Sequence, residues 1–299
     1  MPSTDVLPTR PFGRSGTPVS ILGIGTGVLG FGRVTDEVAL SVIRRAFDLG
    51  VRYFDTAHHY QSEALVGRAL DGRRDDVFLT TKTAKRNYKM AWSDIRQSLR
   101  DLRTDHVDLL LMHCVNTVAD LDAILNSDGS VKAALEAQRD GLVRRIGLSG
   151  HSRPSVLAMA LERFPFDAVM PALGAIDAVV TGPDLCLMPV ARRAGTGVIA
   201  MKVVGNGYLA PLLESAISYP LDLGAHVAVV GMKSISDVEQ AAAAAKKAHP
   251  LSLSERSALM ALATQAVNDR EKIPYWLNDA EVIAAKPGWI GANYLVEAR

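Results

Sequence analysis

Short apolar runs recur at nearly regular intervals along this chain, and this repeat limits its fold more than any other feature. Eight runs rich in β-branched residues begin at Val19, Val51, Val77, Val107, Val143, Phe166, Val198 and Val227. Successive runs start 23 to 36 residues apart. Their apolar residues are continuous rather than alternating, which is typical of parallel strands buried on both faces. The repeat therefore predicts eight parallel strands.

The segments between the runs have helical periodicity and recognisable ends. Thr35 is an expected N-cap, and Gly50 stands where the helix after it should stop. Ser152 is a second candidate N-cap, with Pro154 in the first turn. Strand-helix units of this length favour a closed barrel over an open sheet or two domains.

The predicted fold is therefore an α/β protein with one (β/α)8 TIM barrel, and a single domain spanning 1–299. We place the barrel core at about 19–247 and an added C-terminal helix with a tail at 252–299. An open doubly wound sheet is the alternative, but its glycine fingerprint after the first strand is missing. Gly23, Gly25 and Gly27 have the density of that motif without its spacing.

The added helix begins with a capping-box pattern at Ser252 and Glu255. Its apolar face consists of Leu259, Leu262, Ala263, Ala266 and Val267. The tail from 270 to 299 carries Tyr275, Trp276, Trp289 and Tyr294. These aromatic residues either pack the tail onto the barrel or wall a pocket.

The composition excludes several classes of protein. The 33 basic residues are balanced by 32 acidic ones, so we expect no nucleic-acid partner. Cys114 and Cys186 are too few for a disulfide scaffold or an iron-sulfur site, and they indicate a reducing, cytoplasmic location. The sequence contains no uninterrupted run of about 18 apolar residues, so we expect no membrane span. Arg10 and Arg14 before the glycine-containing run 19–31 make a poor leader, since no cleavage site follows.

Ionisable residues follow three consecutive strands. Asp55, Lys82 and His113 end the second, third and fourth runs. Each alone has a structural explanation. An aspartate can cap a helix, a lysine can extend its ammonium group to solvent, and a histidine can lie in the core with its ring nitrogens hydrogen-bonded. Barrel enzymes place reactive groups at the carboxyl ends of strands, so the three together predict an active site.

The residues around these positions resemble the aldo-keto reductases. The likeness consists of Phe54-Asp55-Thr56-Ala57-His58-His59-Tyr60, Ser62-Glu63, Thr81-Lys82 and Leu110-Leu-Met-His113, and extends from Phe12 to about Ala245. It implies a hydride transfer between NAD(P) and a carbonyl or alcohol substrate, such as an aldehyde, ketone or sugar. It also implies a catalytic tetrad of Asp55, Tyr60, Lys82 and His113.

The chemistry agrees with these residue types. Hydride addition to a carbonyl creates an alkoxide, which needs a proton donor beside it. Tyr60 can donate if Lys82 lowers the pKa of its hydroxyl, and Asp55 can keep Lys82 charged. His113 would orient the carbonyl oxygen or share the proton donation.

The resemblance also implies cofactor contacts at the ends of other strands. These are Gly25, Thr26, Ser149, Gly150, Lys202, Gly205, Asn206, Gly207, Lys233 and Ser234. Lys233 offers a charge to an adenosine phosphate, so we expect NADP (NADPH) rather than NAD. Glu239 opposes this, because it stands where relatives often have an arginine. The chain is similar to the branch of the family that reads Ser-Gly-His after strand five. Some members of that branch carry a C-terminal iron-sulfur module, and this chain lacks the cysteines for one.

Other functions compete with this one. Lys82 or Lys202 at a strand end is compatible with a Schiff-base aldolase, although that chemistry gives Tyr60 and His113 no role. A nucleotide-binding, redox-sensing barrel subunit without turnover is a second alternative. We expect no metal site, since the His-x-His pair of barrel hydrolases is absent. The expected partner is a small carbonyl or alcohol substrate.

Overall fold

The computed structural model describes residues 7–268, and eight parallel strands close into a barrel within them. An antiparallel hairpin of β1 (Thr9–Phe12) and β2 (Thr17–Ser20) precedes the barrel. The barrel strands are β3 (Leu22–Gly25), β4 (Tyr53–Asp55), β5 (Phe78–Thr83), β6 (Leu109–Met112), β7 (Ile146–Gly150), β8 (Ala168–Pro171), β9 (Gly197–Ala200) and β10 (Val227–Gly231).

Neighbouring barrel strands follow the chain order, and β10 pairs with β3 to close the ring. In that closing pair Val229 lies opposite Gly23. The (β/α)8 prediction is therefore confirmed, and the open-sheet alternative is wrong. The assignment of the whole chain to one domain stays a prediction.

The first predicted strand starts three residues too early. Val19 lies in β2 opposite Arg10, and the barrel strand begins at Leu22. Ile21 lies between the two strands, and the hydroxyl of Ser20 before it donates to the Leu22 carbonyl and accepts the Tyr53 N–H. Since the apolar residues continue through both strands, the pattern does not reveal the break.

The hairpin covers the amino-terminal end of the barrel. Phe12 is buried there, and its ring centroid lies 5.2 Å from that of Phe78 at the start of β5. Gly197 at the start of β9 leaves space for this ring, since a Cβ there would lie 2.5 Å from a Phe12 ring atom. The opposite, carboxyl end of the barrel is the end that active sites of this fold use.

Eleven helices surround the barrel in the described part of the chain. They are α1 (Asp36–Asp48), α2 (Glu63–Ala69), α3 (Tyr88–Asp101), α4 (Val118–Leu125), α5 (Ser130–Arg139), α6 (Pro154–Arg163), α7 (Ala175–Val180), α8 (Pro183–Ala194), α9 (Leu213–Asp222), α10 (Ile235–Lys246) and α11 (Leu253–Asn268). Among residues 7–268, none of these helices has both the length and the apolar composition needed to cross a bilayer.

The predicted helix ends are partly correct. Thr35 caps α1 by accepting the Val38 N–H, and Gly50 follows that helix with a φ of 93°. Ser152, however, is not the N-cap of α6. Arg153 occupies that position with non-helical backbone (φ −131°, ψ 81°), because the residue before a proline at N1 is kept out of the helical region.

The added helix forms as predicted. Ser252 accepts the Glu255 N–H, and Glu255 accepts the Ser252 N–H in return. Leu259 and Ala263 are buried in a cluster with residues of α7 and α9. The predicted tail with its four aromatic residues lies outside the described residues.

Candidate active site

The alternation of side chains along the strands brings three ionisable groups into the barrel. Tyr53 and Phe78 face the barrel interior, and Asp55 and Lys82 follow them at even spacings, so they face the same way. His113 follows β6 directly, two residues after the interior Leu111. Since β4, β5 and β6 are adjacent, their carboxyl ends place these groups side by side.

Lys82 and Asp55 form a buried ion pair at this end. Lys82 Nζ lies 2.6 Å from Asp55 Oδ2 and also donates to the Thr56 carbonyl at 2.7 Å. Lys82 is 1% exposed and Asp55 is 3% exposed. Burial raises the pKa of Asp55 and lowers the pKa of Lys82, and in each case the partner's charge opposes that shift. The pairing thus keeps a cation at a place that burial alone would neutralise.

Tyr60 lies above this pair, in a 3-10 turn formed by His58–Tyr60. Lys82 Nζ is 5.0 Å from the centroid of the Tyr60 ring. The Tyr60 hydroxyl is 3.4 Å from His113 Nε2, and the two rings meet edge to face with centroids 5.5 Å apart. The structure therefore brings together all four members of the predicted tetrad, Asp55, Tyr60, Lys82 and His113.

His113 is held in its neutral form. It is 3% exposed, and burial together with the charge of Lys82 keeps its pKa well below the usual 6.5. Its Nδ1 has no hydrogen-bond partner among the described residues. A neutral imidazole offers one donor and one acceptor, so it can orient a carbonyl oxygen without adding charge.

The turn that carries Tyr60 is backed by a chain of buried hydroxyls. Ser62 Oγ lies 3.0 Å from both Thr26 Oγ1 and Thr56 Oγ1, and Thr26 donates to the Asp55 carbonyl. Thr26 is fully buried. Its side chain therefore supports the backbone at Asp55 and the turn of Tyr60, and the cofactor contact expected at Thr26 stays a prediction.

Two residues at this end were not identified from the sequence. His59 packs its ring against both Tyr60 and His113, with centroids 4.7 and 4.8 Å away. Arg86 donates to the carbonyls of His113 and Cys114 at 2.7 and 2.8 Å, which fixes the loop after β6. The position of His59 next to Tyr60 was a usable signal, whereas Arg86 belongs to no pattern that predicts its contacts.

The predicted contacts after β7 lie beside this loop. Ser149 and Gly150 end β7 and are buried. Ser149 Oγ accepts the Cys114 N–H at 3.3 Å. A Cβ at Gly150 would lie 2.6 Å from the Val115 carbonyl oxygen, so only glycine fits there. These two residues border the tetrad from the side of β7.

The contacts predicted after β9 lie in a loop with left-handed backbone, in which Asn206 and Gly207 are exposed and Gly205 is buried. Lys202, Gly205, Asn206 and Gly207 have φ values of 63°, 56°, 56° and 97°. A Cβ on Gly207 would meet nothing within 4 Å, so one face of this loop is open. Such backbone lets a phosphate approach closely.

The contacts predicted after β10 lie at the start of α10. Lys233 is exposed, whereas the hydroxyl of Ser234 accepts the Asp237 N–H as the helix cap. Asp237 in turn accepts the backbone N–H groups of Lys233 and Ser234. Glu239 is paired with Arg45, whose Nη2 lies 2.7 Å from Glu239 Oε1. From the sequence, Glu239 was expected to repel a cofactor phosphate. In the structure its carboxylate is paired with the Arg45 cation.

The residues predicted to contact a cofactor carry chemical groups that suit a dinucleotide. Gly25 ends β3, which lies between β10 and β4 in the ring. The predicted contacts thus occupy the rim from β7 through β9 and β10 to β3, and the tetrad occupies β4 to β6. Open glycine backbone and the exposed Lys233 suit phosphates. The tetrad adjoins both ends of that rim.

Comparisons with known proteins show which family and fold this chain shares. A family model described as the aldo/keto reductase family matches residues 21–212. L-Galactose dehydrogenase of Arabidopsis thaliana is 27% identical over 301 residues, covering 83% of this chain and 91% of the plant protein. A methylglyoxal reductase of Salmonella typhi is 36% identical over 131 residues, 42% of this chain and 48% of that protein. The holo form of an aldo-keto reductase from Bacillus halodurans superposes with a TM-score of 0.74 at 26% identity, covering 89% of this chain and all of that one.

Proposed function

This chain belongs to the aldo/keto reductase family, and from that premise we propose that its tetrad catalyses hydride transfer between NAD(P) and a carbonyl or alcohol substrate. One observation carries the proposal. The buried Lys82–Asp55 pair lies beneath Tyr60, whose hydroxyl is 3.4 Å from the neutral His113. A cation, a phenol and a neutral imidazole at the same end of the barrel are the groups that carbonyl reduction requires.

Tyr60 has the role of general acid in reduction and of general base in oxidation. The bound cofactor supplies or accepts the hydride. Negative charge then grows on the carbonyl oxygen, and the Tyr60 hydroxyl donates its proton there. The ammonium group of Lys82 favours the ionised form of the neighbouring phenol, which makes that donation easier. Asp55 compensates the buried charge of Lys82 throughout.

His113 positions the substrate oxygen. Its Nε2 is within 3.4 Å of the Tyr60 hydroxyl, so a carbonyl oxygen that contacts both groups lies between a proton donor and a neutral imidazole. If His113 were protonated, its imidazolium would be a second cation near Lys82, and the two cations would compete for the same negative charge. Burial and the charge of Lys82 prevent this by lowering the pKa of His113.

We propose NADP(H) as the preferred cofactor. Lys233 is exposed at the start of α10 and is free to turn toward a 2′-phosphate. The charge of Glu239 is compensated by Arg45, which removes most of its repulsion toward that phosphate. Asp237 is the remaining opposing charge, but its carboxylate accepts the backbone N–H groups of Lys233 and Ser234. The net effect is a modest preference.

The relatives indicate the substrate class. Their names refer to a sugar, L-galactose, and to a small carbonyl compound, methylglyoxal. For this chain we propose an aldehyde, ketone or sugar as the class of substrate. A Schiff-base aldolase is disfavoured because Lys82 is engaged by Asp55 and the Thr56 carbonyl.

The test is an absorbance assay at the nicotinamide band. Purified protein is given NADPH or NADH with a panel of aldehydes and ketones, and NADP or NAD with sugars and alcohols. We expect turnover with at least one substrate, and faster turnover at low cofactor concentration with NADPH. Cofactor binding without turnover on the whole panel would support the redox-sensing alternative. Borohydride trapping of a substrate on Lys82 or Lys202 would support an aldolase.

A further inference from the structure

The residue that opens the Tyr60 turn lies between two buried carboxylates. His58 Nδ1 is 3.3 Å from Glu63 Oε2, and His58 Nε2 is 3.7 Å from Asp94 Oδ1. Glu63 is 2% exposed and Asp94 is 6% exposed, whereas the side chain of His58 is 30% exposed. The imidazole thus reaches from the surface into an acidic site that belongs to neither the tetrad nor the proposed cofactor contacts.

The same two carboxylates hold the strand that carries Lys82. Thr81 Oγ1 donates to Glu63 Oε1 at 2.5 Å, and Thr83 Oγ1 donates to Asp94 Oδ2 at 2.6 Å. Because side chains alternate along β5, these threonines lie on the outer face, opposite to Lys82. Each carboxylate therefore uses one oxygen for β5 and directs the other toward His58.

We propose that His58 is a positioning residue: in its protonated form it joins Glu63 and Asp94 and so holds the turn of Tyr60 against the strand of Lys82. The inference rests on the proposed function of Tyr60 and Lys82. The distance that the contact maintains is the 5.0 Å between Lys82 Nζ and the Tyr60 ring.

Charge compensation favours the protonated form of His58. Two buried carboxylates cost folding free energy unless a cation lies near them. The hydrogen bond with Glu63 raises the pKa of His58, and the charges of Asp94 and Asp101 add to this against the effect of burial. A ring nitrogen of His58 and one carboxylate oxygen each of Glu63 and Asp101 lie within 4.8 Å of one another. His59, its neighbour in the turn, has a pKa lowered by burial and by Lys82.

The pH dependence follows from that direction. A histidine with a raised pKa contributes its ion pair at low pH and loses it as pH rises through that pKa. Above it, Glu63 and Asp94 face a neutral ring, and the turn is held less firmly. Since a misplacement of about 1 Å costs up to about 10²-fold in rate, kcat should fall on the alkaline side. Cofactor affinity should not change, because its proposed contacts lie on other strands.

The experiment compares His58→Gln with the wild-type enzyme and with His249→Gln. His249 also pairs with a carboxylate, Glu255, but on the surface near α11. We expect His58→Gln to lower kcat about 10- to 100-fold at pH 6, with little change in KM or in the Kd for NADPH. Its kcat should also lose the alkaline decline of the wild-type enzyme. His249→Gln should behave like the wild-type enzyme in every respect.

A double-mutant cycle sharpens this test. If His58 acts through the carboxylate, Glu63→Gln combined with His58→Gln should lower kcat less than the product of the two single effects. Independent effects that multiply would overturn the proposal, as would a wild-type kcat and pH profile in His58→Gln. If Tyr60→Phe also keeps its turnover, the proposed function fails as well. If Tyr60→Phe is inactive, only the role of His58 fails.

A measurement on the wild-type protein covers the case in which the variants do not fold. The imidazole resonance of His58 is titrated by NMR alongside kcat. We expect the decline in kcat to follow the loss of the His58 proton. A measured pKa of His58 below the usual pKa of histidine would overturn the proposal. A kcat that does not change while His58 loses its proton would also overturn it.

Discussion

The rim of this barrel has two halves that differ in how their charges are held. On β4 to β6, Asp55, Lys82 and His113 are at most 3% exposed, and each ion or proton donor has a neighbour at a fixed distance. After β9 and β10, Asn206 and Lys233 are exposed, and the loop after β9 is glycine-rich with left-handed backbone. The charges of the first half are held by other residues of the chain, whereas the second half offers groups whose proposed partner is the cofactor.

The difference has an energetic meaning. A buried charge that loses its partner keeps its desolvation cost, so removing one member of the Lys82–Asp55 pair should reduce the stability of the fold as well as the rate. An exposed lysine is already solvated by water, so changes in the cofactor half should alter affinity and leave stability nearly unchanged. The predictions below test this contrast.

Breaking the buried ion pair should have the largest effect on stability. Lys82→Met leaves Asp55 buried without its cation, and we expect the free energy of unfolding to fall by about 3 to 5 kcal/mol. The double variant Asp55→Asn/Lys82→Met should lose clearly less, because no uncompensated charge remains. Urea denaturation measures both. Equal losses in the single and double variants would show that the pair is not the source of the effect.

Removing the exposed lysine should change affinity for one cofactor only. In Lys233→Met we expect the Kd for NADPH to rise about 10- to 150-fold, from the loss of a charge-assisted hydrogen bond of about 1.5 to 3 kcal/mol. The Kd for NADH should stay the same. Lys247→Met, at the other end of α10, is the matched control. An unchanged ratio of the two constants, measured by cofactor fluorescence, would remove Lys233 from the phosphate site.

His151, which follows the end of β7 directly, should make the fold sensitive to acid. Burial lowers the pKa of His151 to about 3, so between pH 6.5 and that value the unfolded chain binds a proton that the folded chain does not. The free energy of unfolding should then decrease as pH falls, with a contribution of about 1.4 kcal/mol per pH unit from this group. His151→Gln should flatten that slope by about one proton. An identical slope in wild type and variant would contradict this.

Freeing Glu239 should have the smallest effect. Arg45→Gln removes the cation that compensates it, and we expect NADPH to bind more weakly by less than about 1 kcal/mol, since this pair is exposed. Adding Glu239→Gln should restore the wild-type Kd. If Arg45→Gln weakens NADH binding equally, the effect does not concern the 2′-phosphate.

Much of this contrast could be predicted from the sequence. Asp55, Lys82 and His113 were recognisable because each interrupts the end of an apolar run, and a strand that is buried on both faces shows such an interruption clearly. The barrel was predictable for the same reason. Tyr60 and the tetrad as a unit came from the family resemblance. The first strand was misplaced because apolar residues continue from Val19 into Leu22 through the hairpin.

The supporting contacts could not be predicted in this way. Arg86 reaches carbonyls 27 and 28 residues away, and Thr83 reaches Asp94 on the outer face of β5. Such contacts depend on the packing of helices onto strands, which the apolar pattern does not encode. Thr26 shows the same limit, because the sequence gives its place at a strand end but not its hydrogen bond to the Asp55 carbonyl.

The central claim is that Tyr60 donates the proton in a site organised by Lys82, Asp55 and His113. Tyr60→Phe removes one hydroxyl and keeps the ring, so the turn and the buried pair should remain in place. We predict that steady-state turnover with the best substrate falls about 10²- to 10⁴-fold, while the Kd for NADPH and the free energy of unfolding stay close to those of the wild-type enzyme. Wild-type turnover in Tyr60→Phe would contradict the account.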